Sequence, residues 1–485
     1  MSETSTADPA RPAGALGAVE QRGIEPVPVA ERRGNPLQLF WVWFAANISV
    51  VGMPLGVSLV ALGLSAWQAV LVAVLGAFGS FALVGLISVA GRRGGAPSLT
   101  LSRALFGTRG NAGPTAVALV SRLGWETVNT STAALAIVTA ASLLVGTGGD
   151  AKSAPIVAVL GVVLFVGCTV AVSGMGHGAI LVVQKWSTWI FGAANLLILG
   201  FLAVTIDWQA VGRVPGGDLA AVLTGIGTIA AGTGIGWANS GADMARYQAP
   251  AVRALPLVMS ASAGAGIPLV VMISMGSVVG ASDPAIAASA NPLDAIRGIL
   301  PPSVAVGYLV ISFVGLLLSN HLSVYSAGLT TLTLGLRVRR VWAVIVDVVV
   351  TTVASLLFLL VADGFYGPFT TFISLLAVPI SAWIGIFLVD LLRRREYDPV
   401  ALLDLSRNGA YFYTGGVRWS ALGPWLVSIV VAALFMRITP GEVPWYTGPL
   451  HDTWVGANGM AWLVAAVVGG ALYAVFGLRS AAGAR

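Results

Sequence analysis

Apolar stretches of roughly 20 residues, each long enough to cross a bilayer, begin near Leu37, Trp67, Pro114, Ala154, Ile180, Ala220, Leu255, Ser303, Val341, Phe369, Ala421 and Trp454. This pattern constrains the chain more than any other feature. In hydrocarbon every backbone N–H and C=O must find a partner within the segment, so each stretch must be a helix. An all-α polytopic membrane protein with about twelve transmembrane helices follows. Composition agrees: 57% of the 485 residues are hydrophobic, 9% are charged, and the mean hydropathy is +0.88. Residues 1–35 mix Pro, Ala, Glu and Arg without an apolar run long enough for a signal-peptide core, and read as a disordered cytosolic tail. Cys168 is the lone cysteine and sits in an apolar run, which excludes a disulfide framework and points to a buried, inert thiol.

The formal charge of +6 raises the question of nucleic acid, but the basic residues lie between apolar spans and report topology instead. With the N-terminus inside, the cytosolic segments hold Arg11, Arg22, Arg32 and Arg33, then Arg92, Arg93, Arg103 and Arg109, then Arg246 and Arg253. The series continues with Arg337, Arg339 and Arg340, then Arg393, Arg394, Arg395, Arg407 and Arg418, and last Arg479 and Arg485. Only Lys152, Arg213, Arg297 and Arg437 fall outside, while Arg122 and Lys185 lie within or at the edge of spans. The positive-inside rule therefore places both termini in the cytosol of a multi-pass protein of the plasma (inner) membrane.

Two spans carry interruptions. Leu223 to Tyr247 holds Gly225, Gly227, Gly232, Gly234, Gly236 and Gly241, and each interior Gly costs about 1 kcal/mol relative to Ala. A break inside the bilayer must face protein or a water-filled cavity; the competing reading is that these glycines only let neighbouring helices approach closely. The first span has its own interruption at Asn47, Ser49, Gly52, Pro54 and Gly56. The broken spans are five helices apart. An odd number of helices per repeat makes two copies enter the membrane from opposite sides, the inverted-repeat arrangement of secondary transporters, with substrate at the gap. The expected organisation is a first five-helix repeat at 36–205, a second at 206–392, a cytosolic loop at 393–419, and helices eleven and twelve with a short tail at 420–485.

Chemistry-bearing residues cluster on four helices. Trp125 and Asn129 in the third span are four apart and share a face. An indole and an amide suit a flat ligand, the ring face for stacking and the amide for a heterocycle's edge. The alternative is an interhelical hydrogen bond from Asn129 with Trp125 as packing. The sixth span adds Gly236, Trp237 and Asn239, and the eighth adds Ser319, Asn320 and Ser323.

These residues sit in longer segments that carry a resemblance: NPLQLFWVWFAAN opening the first span, GW followed by Asn four residues after the Trp in the third, WANSGADMARY closing the sixth, SNHLSVYSAGL in the eighth, and LVDLLRRREYD leaving the tenth. In order and spacing the chain resembles the nucleobase-cation symporter family, on its purine-cytosine permease branch, over nearly the whole membrane domain. The resemblance implies a LeuT-type fold of five-plus-five inverted repeats with helices one and six broken. It implies alternating access, Trp125 and Trp237 flanking a planar base, Asn129 and the Asn320/Ser323 region bonding its edges, and Gly236 contributing backbone. The expected function is a secondary active transporter importing cytosine or a purine by cation symport, with a small heterocycle and the bilayer as partners and no cofactor beyond the co-transported ion. The same fold could instead carry a hydantoin, allantoin, or a vitamin such as pyridoxine or thiamine.

In sodium-using relatives, carbonyls of the broken first helix and paired hydroxyls in helix eight bind the ion. Here Leu316, Leu317 and Leu318 precede Ser319, so one hydroxyl stands where two are needed. Proton coupling is the expectation, with sodium as the alternative. Asn47 and Ser319 are the candidates at the ion position. Glu126 is a candidate proton carrier because an intramembrane carboxylate is functional by default, with an ion pair to Arg122, four residues earlier, as the rival reading. Asp243 is a candidate carrier that pairs with Arg246 or caps structure in the competing view. Asp347 stands alone in the ninth span, Lys185 could substitute for a cation or sit at the interface near the cytosolic end of the fifth, and His321 is a titrating group or a satisfied core donor. An enzyme would need paired acids, a metal set or a nucleophile with its base; His177, His321 and His451 lie in separate segments, so no such set is visible. A channel would show flux without saturation.

Overall fold

Helix starts are set by local chemistry. Asn35 and Ser65 each cap a helix reciprocally with the Gln three residues on, Gln38 and Gln68, satisfying two orphan N–H groups apiece. The computed structural model describes residues 22–173, 176–283, 285–286, 292–335, 340–362, 366–440 and 443–477. Arg11, Arg337, Arg339, Arg479 and Arg485 of the basic series lie outside them, as do the side chains of His177, Lys185 and Arg340.

The first span is a bent pair, Pro36–Asn47 and Gly52–Ala61, with 62° between the halves. The second to fifth spans are Ala66–Gly94, Ala112–Val145, Pro155–Ser173 and Gly176–Thr205. The sixth begins at Leu219, and the seventh to tenth are Ala254–Ser282, Pro302–Thr333, Arg340–Leu360 and Tyr366–Arg393. Trp419–Ala433 and Ala461–Leu472 complete the set. Among the described residues seven helices are long and apolar enough to cross a membrane, the bent pair makes an eighth, and four shorter apolar helices supply the remainder. The last span starts at Ala461, not near Trp454, because Trp454–Ala457 forms a separate turn and Gly459 takes a left-handed conformation that ends it. Apolar side chains such as Leu160, Val163, Leu196, Leu197, Val346, Val349 and Val353 are exposed and make the lipid-facing surface of this integral membrane protein.

Packing shows the repeat, and five spans per copy make it inverted. The second and seventh spans run along one another and, with the first and sixth, form one bundle; the third, fourth, eighth and ninth form another. The fifth touches the first and eighth, and the tenth touches the sixth and third. Exchanging the two repeats maps each of these contacts onto the other. The chain has the LeuT-type five-plus-five architecture.

The sixth span is interrupted less sharply than the first. Leu219–Ala230 continues through a π-helical stretch, Ala231–Ile235, to Gly236–Ala238, then turns at Asn239 and Ser240 before Gly241–Ala245. Both readings of its glycines hold. The π stretch places Gly232 and Thr233 on a cavity, while a Cβ at Gly234 would collide with the Ser80 backbone and side chain of the second span.

The closest backbone crossing is between the first and seventh spans. A Cβ on Gly56 would overlap the Ile273 carbonyl oxygen, and Ser277 Oγ donates to the Gly56 carbonyl at 3.1 Å. Overpacking costs typically ~1–3 kcal/mol even where side chains can shift, and here the obstacle is backbone. Gly56→Val is expected to remove most folded protein from the membrane, read as the monodisperse fraction after mild solubilisation; a parental yield would refute this account of the crossing.

At the end of the molecule that carries the loop helix Ser98–Phe106, arginines cap helix C-termini by donating to their free carbonyls. Arg93 donates to Leu391 and Arg394, and Arg103 to Thr333 and Leu402. Burial pulls the Arg103 guanidinium down to about 10, so it stays charged at neutral pH. Residues 22–35, expected as part of the disordered tail, are instead packed here. Val27 is buried with its N–H on the Gly95 carbonyl, Arg32 donates to Val27 and Arg92, and Arg246 donates to the Gly23 carbonyl. Residues 1–21 lie outside the described residues.

Candidate functional site

The interruption of the first span at Ile48–Val51 and the π stretch of the sixth meet at a cavity of about 40 Å³. Its walls are Ala46, Asn47, Ser49, Val51, Gly52 and Leu55 from the first span, Trp125 and Asn129 from the third, Gly232, Thr233 and Trp237 from the sixth, Leu269 from the seventh, and Ser319 from the eighth. A volume that small holds a few waters and falls far short of the ~300 Å³ of an ordinary ligand pocket. The walls must part before a heterocycle can enter.

Of the residues expected to bind substrate, Trp125, Asn129 and Trp237 line this cavity, and of those expected to serve the ion, Asn47 and Ser319 do. Trp125 is half-buried and stands edge-on to Phe369 and Phe372 of the tenth span, with centroids at 5.9 and 5.7 Å. Trp237 is braced edge-on by Trp43 at 5.5 Å. Asn47 Nδ2 donates to the Trp43 carbonyl at 2.8 Å, an i−4 bond that ties off the last turn before the bend.

Gly236, Asn239, Asn320 and Ser323 are not on the cavity wall. Gly236 lies behind Trp125, where a Cβ would come 2.8 Å from the indole nitrogen. Asn320 acts one step back: its Oδ1 accepts from Asn129 Nδ2 at 3.4 Å and its Nδ2 donates to Thr169 of the fourth span at 3.1 Å. The interhelical bond weighed as the alternative for Asn129 is therefore present, and it holds a cavity-lining amide in place. Asn239 receives the Ser240 hydroxyl at 3.4 Å, and neither its Nδ2 nor Ser323 Oγ has a hydrogen-bond partner among the described residues.

The charged candidates separate. Asp243 accepts from the Ser98 backbone at 2.8 Å and from Ser326 Oγ at 2.7 Å, so it caps the loop helix Ser98–Phe106 and ties it to the eighth span. His321 is fully buried with Nδ1 2.9 Å from the Leu317 carbonyl. Arg122 turns away from Glu126: one terminal nitrogen donates to the Gly236 carbonyl and the guanidinium lies over the Trp237 ring at 4.3 Å. No ion pair joins Arg122 to Glu126. Among the described residues no three His, Cys, Asp or Glu side chains are placed to hold a metal.

Sequence reasoning missed Thr169, Phe369 and Phe372, which brace the site from other helices, and the Arg122 contact with Trp237. None carries a local signal, since each is an ordinary residue until the fold brings it there. A second cavity of about 490 Å³ adjoins the first, lined by Val57, Ser58, Thr224, Thr228, Ile373 and Trp462 among others. Leu55 of the smaller cavity and Ile373 of the larger both approach Gly232.

Comparison with known proteins accords with this geometry. The family of permeases for cytosine/purines, uracil, thiamine and allantoin matches residues 26–475. YxlA of Bacillus subtilis, named as a candidate purine-cytosine permease, is 27% identical over 469 residues, 94% of this chain and 95% of that one. The purine-cytosine permease fcyB of Emericella nidulans is 24% identical over 454 residues, 89% and 83% of the two chains. Mhp1, a nucleobase-cation-symport-1 family transporter solved in a closed conformation with bromovinylhydantoin bound, superposes with a TM-score of 0.74 at 20% identity, covering 96% of this chain and 97% of that chain.

Proposed function

The chain belongs to the family of permeases for cytosine/purines, uracil, thiamine and allantoin, and from that premise we propose that it imports cytosine or a purine base by proton symport through alternating access. Nucleobase-type transport, rather than enzymatic chemistry, is what its relatives share. The observation that carries the specific reading is the cavity at the two helix interruptions, where Trp125, Trp237 and Asn129 face one space. Two indoles offer stacking faces to a planar neutral ring and the amide reads its edge. An amino-acid carrier would instead aim helix N-terminal amides at a carboxylate. Gly236, Asn239, Asn320 and Ser323 join the binding set as the walls part, Asn320 through its bond to Asn129. Ser319 is the sole hydroxyl the eighth span gives to the cavity, which supports a proton over sodium as the coupling ion. Asp243 and His321, both hydrogen-bonded within the fold, are secondary candidates. Both termini are cytosolic and the membrane is the plasma (inner) membrane in this reading.

The test is uptake of labelled cytosine and hypoxanthine in a host lacking its own carriers. Saturable accumulation is expected, inhibited by unlabelled bases more strongly than by allantoin, hydantoin, pyridoxine or thiamine. Absence of uptake for both bases, with the protein present in the membrane, would move the cargo to those other heterocycles. For coupling, a protonophore is expected to abolish accumulation while sodium removal at constant pH leaves it intact; the reverse pattern would make sodium the ion.

A further inference from the structure

Glu126 follows Trp125 directly, so on a helix it points about 100° away from the cavity wall, toward the ninth span. There Asp347, four residues before Thr351 on the same face of that span, is its neighbouring acid. Thr351 Oγ1, one turn further along that span, donates to Glu126 Oε2 at 3.3 Å. The two acids are 1% and 5% exposed. Glu126 Oε1 and both Asp347 oxygens meet no donor among the described residues. Ionised carboxylates only accept hydrogen bonds, and two buried as neighbours cannot both hold charge without a large repulsion. The hydrogen that the pair lacks is a proton on one of them.

Arg122 is the cation that acts on the pair, and it does so through space, without a hydrogen bond to either acid. On its own helix Arg122 sits one turn before Glu126 but directs a nitrogen to the Gly236 carbonyl, and its Nε and other terminal nitrogen have no hydrogen-bond partner. The sixth span contributes Asp243, which acts on Arg122 and is itself held by Ser98 and Ser326. The eighth contributes Tyr308, Tyr325 and His321, the last bonded to the Leu317 carbonyl, the fourth Cys168, the tenth Tyr366 at its start and Asp390 and Arg393 at its end, and the short helix Pro292–Gly298 packed on the third span Asp294 and Arg297, which pair with each other.

We propose that Glu126 and Asp347 together bind one exchangeable proton at the contact of the third and ninth spans, and that Arg122 transmits its presence to the substrate wall. With the proton in place the pair carries a single negative charge, and Arg122 is free to hold the Gly236 carbonyl and cover Trp237. When the carboxylic O–H breaks and the proton passes to water, a second carboxylate forms one turn from Arg122. Its unused N–H groups are the nearest donors, and the guanidinium leaves Gly236 and Trp237 to meet it. Substrate site and proton site therefore stand or fall together, which is the linkage symport requires. The proposal rests on the proton-coupled reading above and assigns that proton its residues.

The experiment uses the full chain reconstituted in liposomes, with Glu126→Gln and Asp347→Asn beside the parent, and needs no substrate for its first arm. Infrared pH-difference spectra of the parent should show a deuterium-sensitive protonated-carboxyl band that disappears at alkaline pH and is absent from either variant. Both substitutions imitate the neutral partner, so the fold should persist, and counterflow of labelled cytosine without a pH gradient reports whether it has. In the second arm an inward gradient of one pH unit should drive about tenfold accumulation by the parent at one proton per substrate and none above equilibrium by the variants. A carboxyl band unchanged in both variants, or parental accumulation by either, would overturn the assignment. If the parent itself shows no cytosine or hypoxanthine counterflow, the base reading falls, and the infrared arm alone still decides whether the pair holds a proton.

Discussion

Trp125→Ala is expected to weaken saturable uptake of a base severely while leaving the protein folded and in the membrane. The side chain is half-buried, lines the cavity, and otherwise rests on Phe369 and Phe372. Its truncation removes one stacking wall, worth about 1–3 kcal/mol per base, or roughly five- to 150-fold in affinity. The two phenylalanines also lose their support, so the residual cavity is less well shaped. Trp125→Phe, which keeps a ring face, should recover part of the loss. Initial rates of cytosine uptake against concentration, normalised to membrane-resident protein, would measure both; parental rates in Trp125→Ala would remove the indole from the binding site.

The second large effect is on stability and lies far from the cavity. Asp390, near the end of the tenth span, accepts from Arg394 at 2.6 and 3.2 Å and from Tyr473 of the twelfth at 2.6 Å. Arg394 in turn donates to the Ala104 carbonyl of the loop helix. Asp390→Ala leaves a half-buried guanidinium and a buried phenol without their acceptor, and breaking a fully buried pair by removing one partner costs about 3–5 kcal/mol, an upper bound here. The thermal midpoint of the solubilised protein should fall clearly, and less for Asp390→Asn, whose amide oxygen can still accept. An unchanged midpoint for Asp390→Ala would mean that water or a neighbour replaces the carboxylate. Trp125→Ala and Asp390→Ala thus form a crossed pair: the first should lose most of its uptake at a normal midpoint, and the second should lose stability with uptake per surviving molecule retained.

Asp390 and Arg394 belong to the LVDLLRRREYD segment, one of the stretches on which the family resemblance was read. Their contacts are structural, so a segment can mark a family by holding its helices together as well as by touching its cargo. The same holds for Asp243 in WANSGADMARY, which caps a loop helix. Asn320 in SNHLSVYSAGL works through Asn129 instead of on the cavity surface. These roles were hidden because a polar residue in an apolar helix has one sequence signature, whether it meets substrate, another helix or a backbone end.

The sequence by itself determined the membrane class, eleven of twelve span starts to within about four residues, and the pairing of repeats, and it singled out Trp125, Asn129 and Trp237, which the fold brings to one cavity wall. Those features depend on hydropathy and on spacing along one helix, both of which are local. Only the tertiary structure decided that Arg122 bonds Gly236 and covers Trp237 without pairing with Glu126, and that the face of the ninth span carrying Asp347 and Thr351 meets Glu126. Residues 22–35 likewise looked like tail by composition and became packed structure because helix ends elsewhere present carbonyls and crevices for them. The physical reason is common to all three. A buried charge or an orphan carbonyl takes whichever partner the packing of distant helices brings within reach, and helix periodicity specifies the face a side chain occupies but not what lies opposite it.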